Sequence, residues 1–561
     1  MPTHDSGATR LDALIIGAGF AGIYQLHCLR DRLGLQARVL EAGGDLGGTW
    51  YWNRYPGARC DSESHAYRYF FSRELSDEWQ STERYPGPAE IRAYLGHVAT
   101  KFDLRRDMQF DTRVTAAHYD AVENLWRVDT ARGEKFSATF LITAVGCISA
   151  ANVPDIPGLK DFRGQWFHTG EWPHEGVDFR GKRVGQIGTG STGIQAAPVI
   201  AETAGHLTVF QRTANYSVPA RNAPLTAEFQ RWVKDNFEQI RAVAQTTVNG
   251  HAFRISERRV ADVSPAEREA LYQEAWDYGG LQFRGTFLDL LTDRAANSTA
   301  AEFIKARIRA VVKDPATAED LADIDHPYSA KRPPIDSNYF ETFNRPNVAL
   351  VNLRRDPIER ITPTGIKTRS GEHPLDIIVF ATGFDAMTGT LFKIDIRGRA
   401  GRSLRDYWRG GPRTYLGLQM PDFPNLFTIT GPGSPSVLTN MPVAIEQHVE
   451  WITDCIAHLR KNGIRTIEPA EASVHSWGEH VEECARATLL YDAKHSWYFG
   501  ANVQGKPQVF MPYSGGLHRY RKLCAEIAAK GYEGFAFDRT QPASLPVRAA
   551  EFAGAAAAPG V

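Results

Sequence analysis

Short apolar runs of strand length recur along the chain, many followed by stretches with apolar residues spaced for one face of a helix. This alternation predicts parallel βαβ units. Asp12-Ala13-Leu14-Ile15-Ile16 and Arg183-Val184-Gly185-Gln186-Ile187 each open such a unit. Arg38-Val39-Leu40, Leu207-Thr208-Val209-Phe210, Val348-Ala349-Leu350-Val351 and Asp376-Ile377-Ile378-Val379-Phe380 read as further strands. Thr139-Phe140-Leu141-Ile142-Thr143-Ala144 has the apolar character of a strand covered on both faces. From about Leu225 to Tyr328 the period lengthens. Phe229, Trp232, Val233, Phe237 and Ile240 fall at helical spacing, and Ser264-Pro265-Ala266-Glu267 supplies an N-cap, a proline at the first helical position and the glutamate of a capping box. This stretch is expected to be a helical insertion.

Two of the strands run into glycine fingerprints, Gly17-Ala18-Gly19-Phe20-Ala21-Gly22 and Gly188-Thr189-Gly190-Ser191-Thr192-Gly193. In a strand-turn-helix the first glycine permits the tight turn, the second lets the backbone approach a pyrophosphate, and the third lets helix and strand pack closely. The helix then offers its first amides to the phosphates. The residues at ribose distance differ between the two. Glu41 can accept hydrogen bonds from free 2′ and 3′ hydroxyls, whereas Arg212 and Thr213 can grip a 2′-phosphate. The expectation is an α/β chain with two Rossmann-like dinucleotide-binding domains, one for FAD and one for NADPH. The FAD domain is assigned residues 1–149 and 385–540 and the NADP domain 150–220 and 329–384. The helical insertion takes 221–328, and an Ala- and Pro-rich disordered tail takes 541–561. Ala381-Thr382-Gly383-Phe384-Asp385 is expected to carry the chain between the domains.

Composition narrows the partners. With 561 residues the chain exceeds a single core. Its 64 basic and 65 acidic residues give a net charge of −1, so no overall field favours nucleic acid or an anionic membrane. Cys28, Cys60, Cys147, Cys455, Cys484 and Cys524 form no Cys-x-x-Cys pair, which argues against a dithiol centre, a metal site or a disulfide framework. Met1-Pro2-Thr3-His4-Asp5-Ser6 lacks a basic and apolar leader, and no apolar run reaches membrane-spanning length. A cytoplasmic monomer is expected.

Between the fingerprints, Phe162-Arg163-Gly164-Gln165-Trp166-Phe167-His168-Thr169-Gly170-Glu171-Trp172-Pro173 resembles the FxGxxxHxxxWP signature of type I Baeyer-Villiger monooxygenases, matching at Phe162, Gly164, His168, Trp172 and Pro173. The resemblance continues through Gly47 to Asp61, Lys331-Arg332, Ala381 to Asp385, Gly431 to Ser436 and Ser496 to Asn502, and so spans nearly the whole chain. The C-terminal portion is similar to the phenylacetone and steroid monooxygenases of that family. The Trp-Pro ending sets it apart from related N-hydroxylases.

The resemblance implies that NADPH reduces FAD, that O2 then gives a C4a-peroxyflavin, and that this attacks a ketone to form a tetrahedral adduct leading to an ester or lactone. It implies catalytic roles for Arg332, Asp61 and His168. FAD contacts would be Gly17, Gly19, Phe20, Gly22, Glu41, Thr49, Trp50, Asp61, Tyr67, Val114 and Met441. NADP contacts would be Thr189, Gly190, Ser191, Thr192, Gly193, Gln195, Arg212, Thr213, Lys331, Arg332 and Trp497. Ser436, Val437 and Leu438 would line a pocket for apolar ketones, aryl or bulky ones included.

Chemistry agrees with those assignments. A guanidinium stays protonated beside an anionic oxidant, and a carboxylate enclosed with it needs that cation. Asp61 is therefore expected to pair with Arg332. By residue type alone, Lys331-Arg332 reads first as an exposed pair, Trp172 as core and His168 as a structural or hinge residue, while Asp61 has the alternative of a turn carboxylate and Trp497 that of core. Two other functions use the same cofactors: an N- or S-oxidising flavin monooxygenase, and a non-catalytic NADPH/FAD redox sensor that would not need Arg332.

Overall fold

The computed structural model describes residues 8–539, so the N-terminal Met1 to Ser6 stretch and the expected tail at 541–561 lie outside the described residues. Two sheets organise the chain. In the first, of eight strands, Thr9–Ile16 lies parallel to Ala37–Leu40 on one side and to Lys135–Thr143 on the other. Leu125–Thr130 and Val114–Asp120 extend it antiparallel. Three more strands complete it, Met108–Gln109 beside Ala37–Leu40, Asp395–Arg397 beside Val114–Asp120 and Leu426–Thr428 beside Lys135–Thr143. Ala13, Leu14 and Ile15 are wholly buried, which explains why their stretch shows no polar alternation.

The second sheet is entirely parallel, in the order Val348–Asn352, His206–Gln211, Arg183–Ile187, Ile377–Phe380, Gln165–His168. The Phe162 to Pro173 segment thus contributes its edge strand. The helices Phe20–His27 and Ser191–Thr203 follow the two fingerprints. Gly17 and Gly188 take φ of +106° and +111°. A Cβ on Gly17 would stand 2.6 Å from the Ala144 carbonyl oxygen, and one on Gly188 2.3 Å from that of Ala381, so one turn geometry is built twice.

The chain passes between the sheets at 147–152 and again at 382–387, and the two passages are hydrogen-bonded together. Asn152 donates its amide to the Gly383 carbonyl (3.0 Å), Asp385 to Ala150 (2.8 Å) and Met387 to Cys147 (2.8 Å). The late run braces this connection. The Asn502 side-chain amide donates to the Phe384 carbonyl (2.7 Å), that of Asn152 donates to the Asn502 carbonyl (2.9 Å), and Lys506 pairs with Asp385 (2.5 Å).

Residues 221–328 fold largely as helices: Ala227–Asp235, Phe237–Thr246, Pro265–Tyr278, Arg294–Val311 and Pro315–Ala322. Val233, Phe237 and Ile240 bury against Phe70, Val443 and Leu517, while Trp232 is 46% exposed and stacks on Phe229. The Ser264 hydroxyl caps its helix by accepting from the Glu267 amide (3.2 Å). Only this half of the expected capping box forms, because the Glu267 carboxylate accepts from Arg258. Further along, Tyr272, Phe283 and Phe303 share a core with Val184, Leu207 and Val209 of the second sheet. The insertion therefore touches both sheet units.

Candidate active site

Asp61 stands at the end of a loop from the first sheet unit that is fixed to a helix of the second. Gly57 takes φ of +76°, and a Cβ there would lie 2.2 Å from the Gln195 carbonyl oxygen, so only glycine permits this approach. Tyr55 donates its hydroxyl to Gln195 Oε1 (2.7 Å), and Gln195 Nε2 donates to the Arg59 carbonyl (3.0 Å). Beyond this anchor Asp61 meets Arg332. Arg332 Nε donates to Oδ2 (2.5 Å) and a terminal nitrogen to Oδ1 (2.8 Å), a bidentate fork. The other terminal nitrogen donates to the carbonyls of Val437 (2.9 Å) and Thr439 (3.3 Å).

Burial alone would raise the Asp61 carboxyl, but the Arg332 charge and hydrogen bonds outweigh it and hold the group below its ordinary value. Arg332 loses to burial and gains more from Asp61, so its guanidinium is held above its usual range. His251 lies close by, its Nε2 without a partner. Burial first, then the charges of Arg332 and Arg284, push it down to about 3, which keeps it neutral.

His168 is buried at the crossing. Its Nδ1 accepts from the Gly170 amide (3.0 Å), its ring meets Phe384 edge-on, and burial lowers its pKa. Trp172 is buried among Phe167 and Phe179. Trp497 is half-buried against Tyr498, with ring centroids 4.6 Å apart.

The residues around the first fingerprint fit FAD. Glu41 is buried with Oε2 accepting from the Ala18 amide and Oε1 from that of Gly43, both at 2.7 Å. Each carboxylate oxygen keeps a free lone pair for a ribose hydroxyl. Thr49 opens the short helix Thr49–Trp52, Trp50 donates its indole N–H to the Tyr67 hydroxyl (3.1 Å), and Tyr67 packs edge-on to Phe20. Val114 begins the strand Val114–Asp120 and Met441 the helix Met441–Lys461.

The second fingerprint fits NADP. Thr189 donates its hydroxyl to the Thr213 carbonyl (2.8 Å). Arg212 and Lys331 form no hydrogen bond or ion pair with any described residue. Burial lowers the Lys331 pKa, Asp325 opposes this, and the charges of Arg212 and Arg354 lower it further. Unmatched cations at the ribose end of a dinucleotide fold suit a phosphate.

A cavity of ≈170 Å³ opens beside Arg332. Val437, Leu438 and Thr439 line it from one side, the insertion supplies Ile255, Arg284, Phe287, Leu290 and Leu291, and Leu490 and Tyr498 close it. Ser436 does not line it, which corrects the expectation. In the tight turn Ser436–Leu438 the Ser436 side chain points inward, fully buried, with its hydroxyl 3.8 Å from Met387 Sδ. Arg284, Phe287 and His251 went unnoticed in the sequence, since no local pattern ties them to Arg332, and Tyr498 was named only as part of the run Ser496 to Asn502.

Two dinucleotide folds that meet at an arginine–carboxylate pair beside an apolar cavity define a flavin- and nicotinamide-dependent oxidoreductase. Residues 11–224 match the family described as flavin-binding monooxygenase-like. The chain is 45% identical to a Baeyer-Villiger monooxygenase of Pseudooceanicola batsensis, over 94% of this chain and 96% of that one. It is 43% identical to a cyclohexanone 1,2-monooxygenase of an Acinetobacter species, over 93% and 96%. Among solved structures, oxidized steroid monooxygenase bound to NADP is 51% identical, covering 94% of this chain and 99% of that one, with a TM-score of 0.89. The chain belongs to the Baeyer-Villiger monooxygenase family of FAD-containing, NADPH-dependent oxidoreductases. Among the described residues no helix is long and apolar enough to cross a membrane.

Proposed function

We propose that the protein uses NADPH and O2 to convert apolar ketones, aryl or bulky ones included, to esters or lactones in the cavity beside Arg332. The observation that carries this reading is Arg332, held in a bidentate fork by Asp61, on the wall of a largely apolar cavity. When bound, FAD supplies oxygen activation and NADPH the hydride. Arg332 then presents a permanent positive charge where a substrate oxyanion develops, and needs no reorganisation to do so. Asp61 and the carbonyls of Val437 and Thr439 hold that guanidinium in place. Leu290, Leu291, Val437 and Leu438 keep water from the reacting carbonyl.

Arg212, Thr213 and Lys331 hold the 2′-phosphate, residues 189–193 the pyrophosphate, and Trp497 flanks the nicotinamide end. Glu41 holds the flavin-side ribose. Gln195 acts on NADPH through the loop it anchors, and His168 positions the crossing. The FAD segments 1–149 and 385–540 and the NADP segments 150–220 and 329–384 interleave at that crossing. The balanced charge offers no field for nucleic acid or an anionic membrane, the scattered cysteines suit a reducing cytoplasm, and the protein is read as a monomer.

The test is incubation of holoenzyme with NADPH, O2 and panels of ketones, amines and sulfides, with mass analysis of products. Ketone products heavier by one oxygen, formed one per NADPH, are expected. Oxidation confined to amines or sulfides would favour the N- or S-oxidising alternative, and NADPH consumption negligible with every panel would favour a sensor.

A further inference from the structure

Besides Arg332 the cavity is lined by Arg519, from the helix Leu517–Ala529, and by Arg284, whose guanidinium is not required for oxygen insertion into a ketone. Arg284 lies in the short helical segment Gly280–Gly285 of the insertion and lines the same cavity as Arg332, Phe287, Leu290, Val437 and Leu438. Arg332 and Arg284 differ in their surroundings. Arg332 has its charge matched by Asp61 and its remaining donors directed at backbone carbonyls. Arg284 makes no hydrogen bond and no ion pair with any described residue.

The charged and titratable groups that act on Arg284 are Arg332, Asp61, Tyr328 and Tyr498, with neutral His251 adjoining. Of these only Asp61 is a carboxylate, and both its oxygens already face Arg332. The carboxylate that lines the cavity, Glu483, is solvent-exposed and forms no ion pair with Arg284. Arg284 is half-buried; its guanidinium remains charged even though burial disfavours it, and a partly desolvated cation without a partner gains from a ligand that supplies the anion.

We propose that Arg284 anchors a carboxylate on the substrate, so that the preferred substrates are oxo acids with an apolar body. The ketone carbonyl faces Arg332, the carboxylate forks onto Arg284, and the chain between them packs on Phe287, Leu290 and Leu438. Planar bidentate pairing is what guanidinium does best with a carboxylate. A neutral ketone leaves the Arg284 donors unmatched, and sites built around a polar partner discriminate strongly against analogues that lack it. This inference rests on the ketone-oxygenating function above and adds the substrate class.

The test compares 7-oxooctanoate with 2-octanone, equal in length and differing in the terminal charge, on FAD-loaded enzyme with NADPH. Wild type is expected to favour the acid in kcat/KM by about tenfold or more, as a charge-assisted pair provides. Arg284→Leu should lower that acid-to-ketone ratio at least tenfold, mainly through KM for the acid, and Arg284→Lys should restore part of it. Flavin content and Tm at the wild-type level confirm that the variants fold. An unshifted ratio overturns the proposal. So does a rise in KM for NADPH with the ratio unchanged, which would place Arg284 on the dinucleotide. Octanoate, which has no ketone, is the second readout and should inhibit wild type more strongly than Arg284→Leu. Inhibition that depends on Arg284, with neither ketone oxygenated, would uphold the anion site and overturn the ketone chemistry.

Discussion

Arg332 is held by hydrogen bonds to two distant stretches, the carboxylate at 61 and the carbonyls at 437 and 439. Removing the carboxylate frees the guanidinium on the side that fixes its orientation. Asp61→Ala is expected to slow both NADPH oxidation and ester formation about 100-fold, the scale for losing a preorganised electrostatic contact, in steady-state assays with a ketone. Unchanged turnover would sink the pair as a functional unit. Arg212→Ala should raise the apparent constant for NADPH about tenfold or more and leave that for NADH nearly unchanged, since only NADPH carries the extra phosphate. Equal effects on the two would place the phosphate elsewhere.

A third residue sets a pH dependence outside the site. Buried Glu446 accepts from the amides of Phe70 (2.5 Å) and Phe71 (2.9 Å), yet burial and neighbouring Glu450 raise it from 4.5 to about 8. The folded protein thus keeps a proton that the unfolded chain releases. The resulting stability is fully present below about 4.5 and is lost as pH rises through about 8. Glu446→Gln should flatten denaturant midpoints between pH 6 and 8.5 relative to wild type.

At the scale of elements, the loop carrying Asp61 is positioned by a close approach to the helix Ser191–Thr203. Gly57→Ala would drive a methyl into the Gln195 carbonyl at a positive φ. It is expected to cost about 1–3 kcal/mol in chemical denaturation and to raise KM for NADPH, with less effect on bound FAD. Element-level patterns in the sequence were informative where local geometry governs. The strands, both fingerprints and the Ser264 cap follow from backbone preferences over a few residues. The exceptions share a cause: Glu267 turns to Arg258 and Ser436 points inward towards Met387, each set by a neighbour outside its local pattern.

Across the whole molecule, two sheet units communicate through paired passages at 147–152 and 382–387, braced by Asn502 and Lys506. Asn502→Ala removes a donor to the Phe384 carbonyl. A loss of about 1 kcal/mol in stability is expected, together with a few-fold rise in KM for NADPH at normal flavin content. A stable variant with unaltered NADPH kinetics would show that this brace does not govern how the units meet.

By itself the sequence determined the two dinucleotide folds, the identity of their cofactors and the kinship of the chain, because glycine turns, strand runs and ribose partners are local features that few residues can satisfy. It also suggested that Asp61 would need a cation such as Arg332, since an enclosed carboxylate is unstable alone. Only the tertiary structure decided what surrounds that pair. The cavity walls come from the helical insertion, from the turn at 437–439 and from residues near 490–498, and Arg284 lines them together with Arg332. Those contacts arise from packing between segments remote in sequence, and no spacing along the chain encodes them.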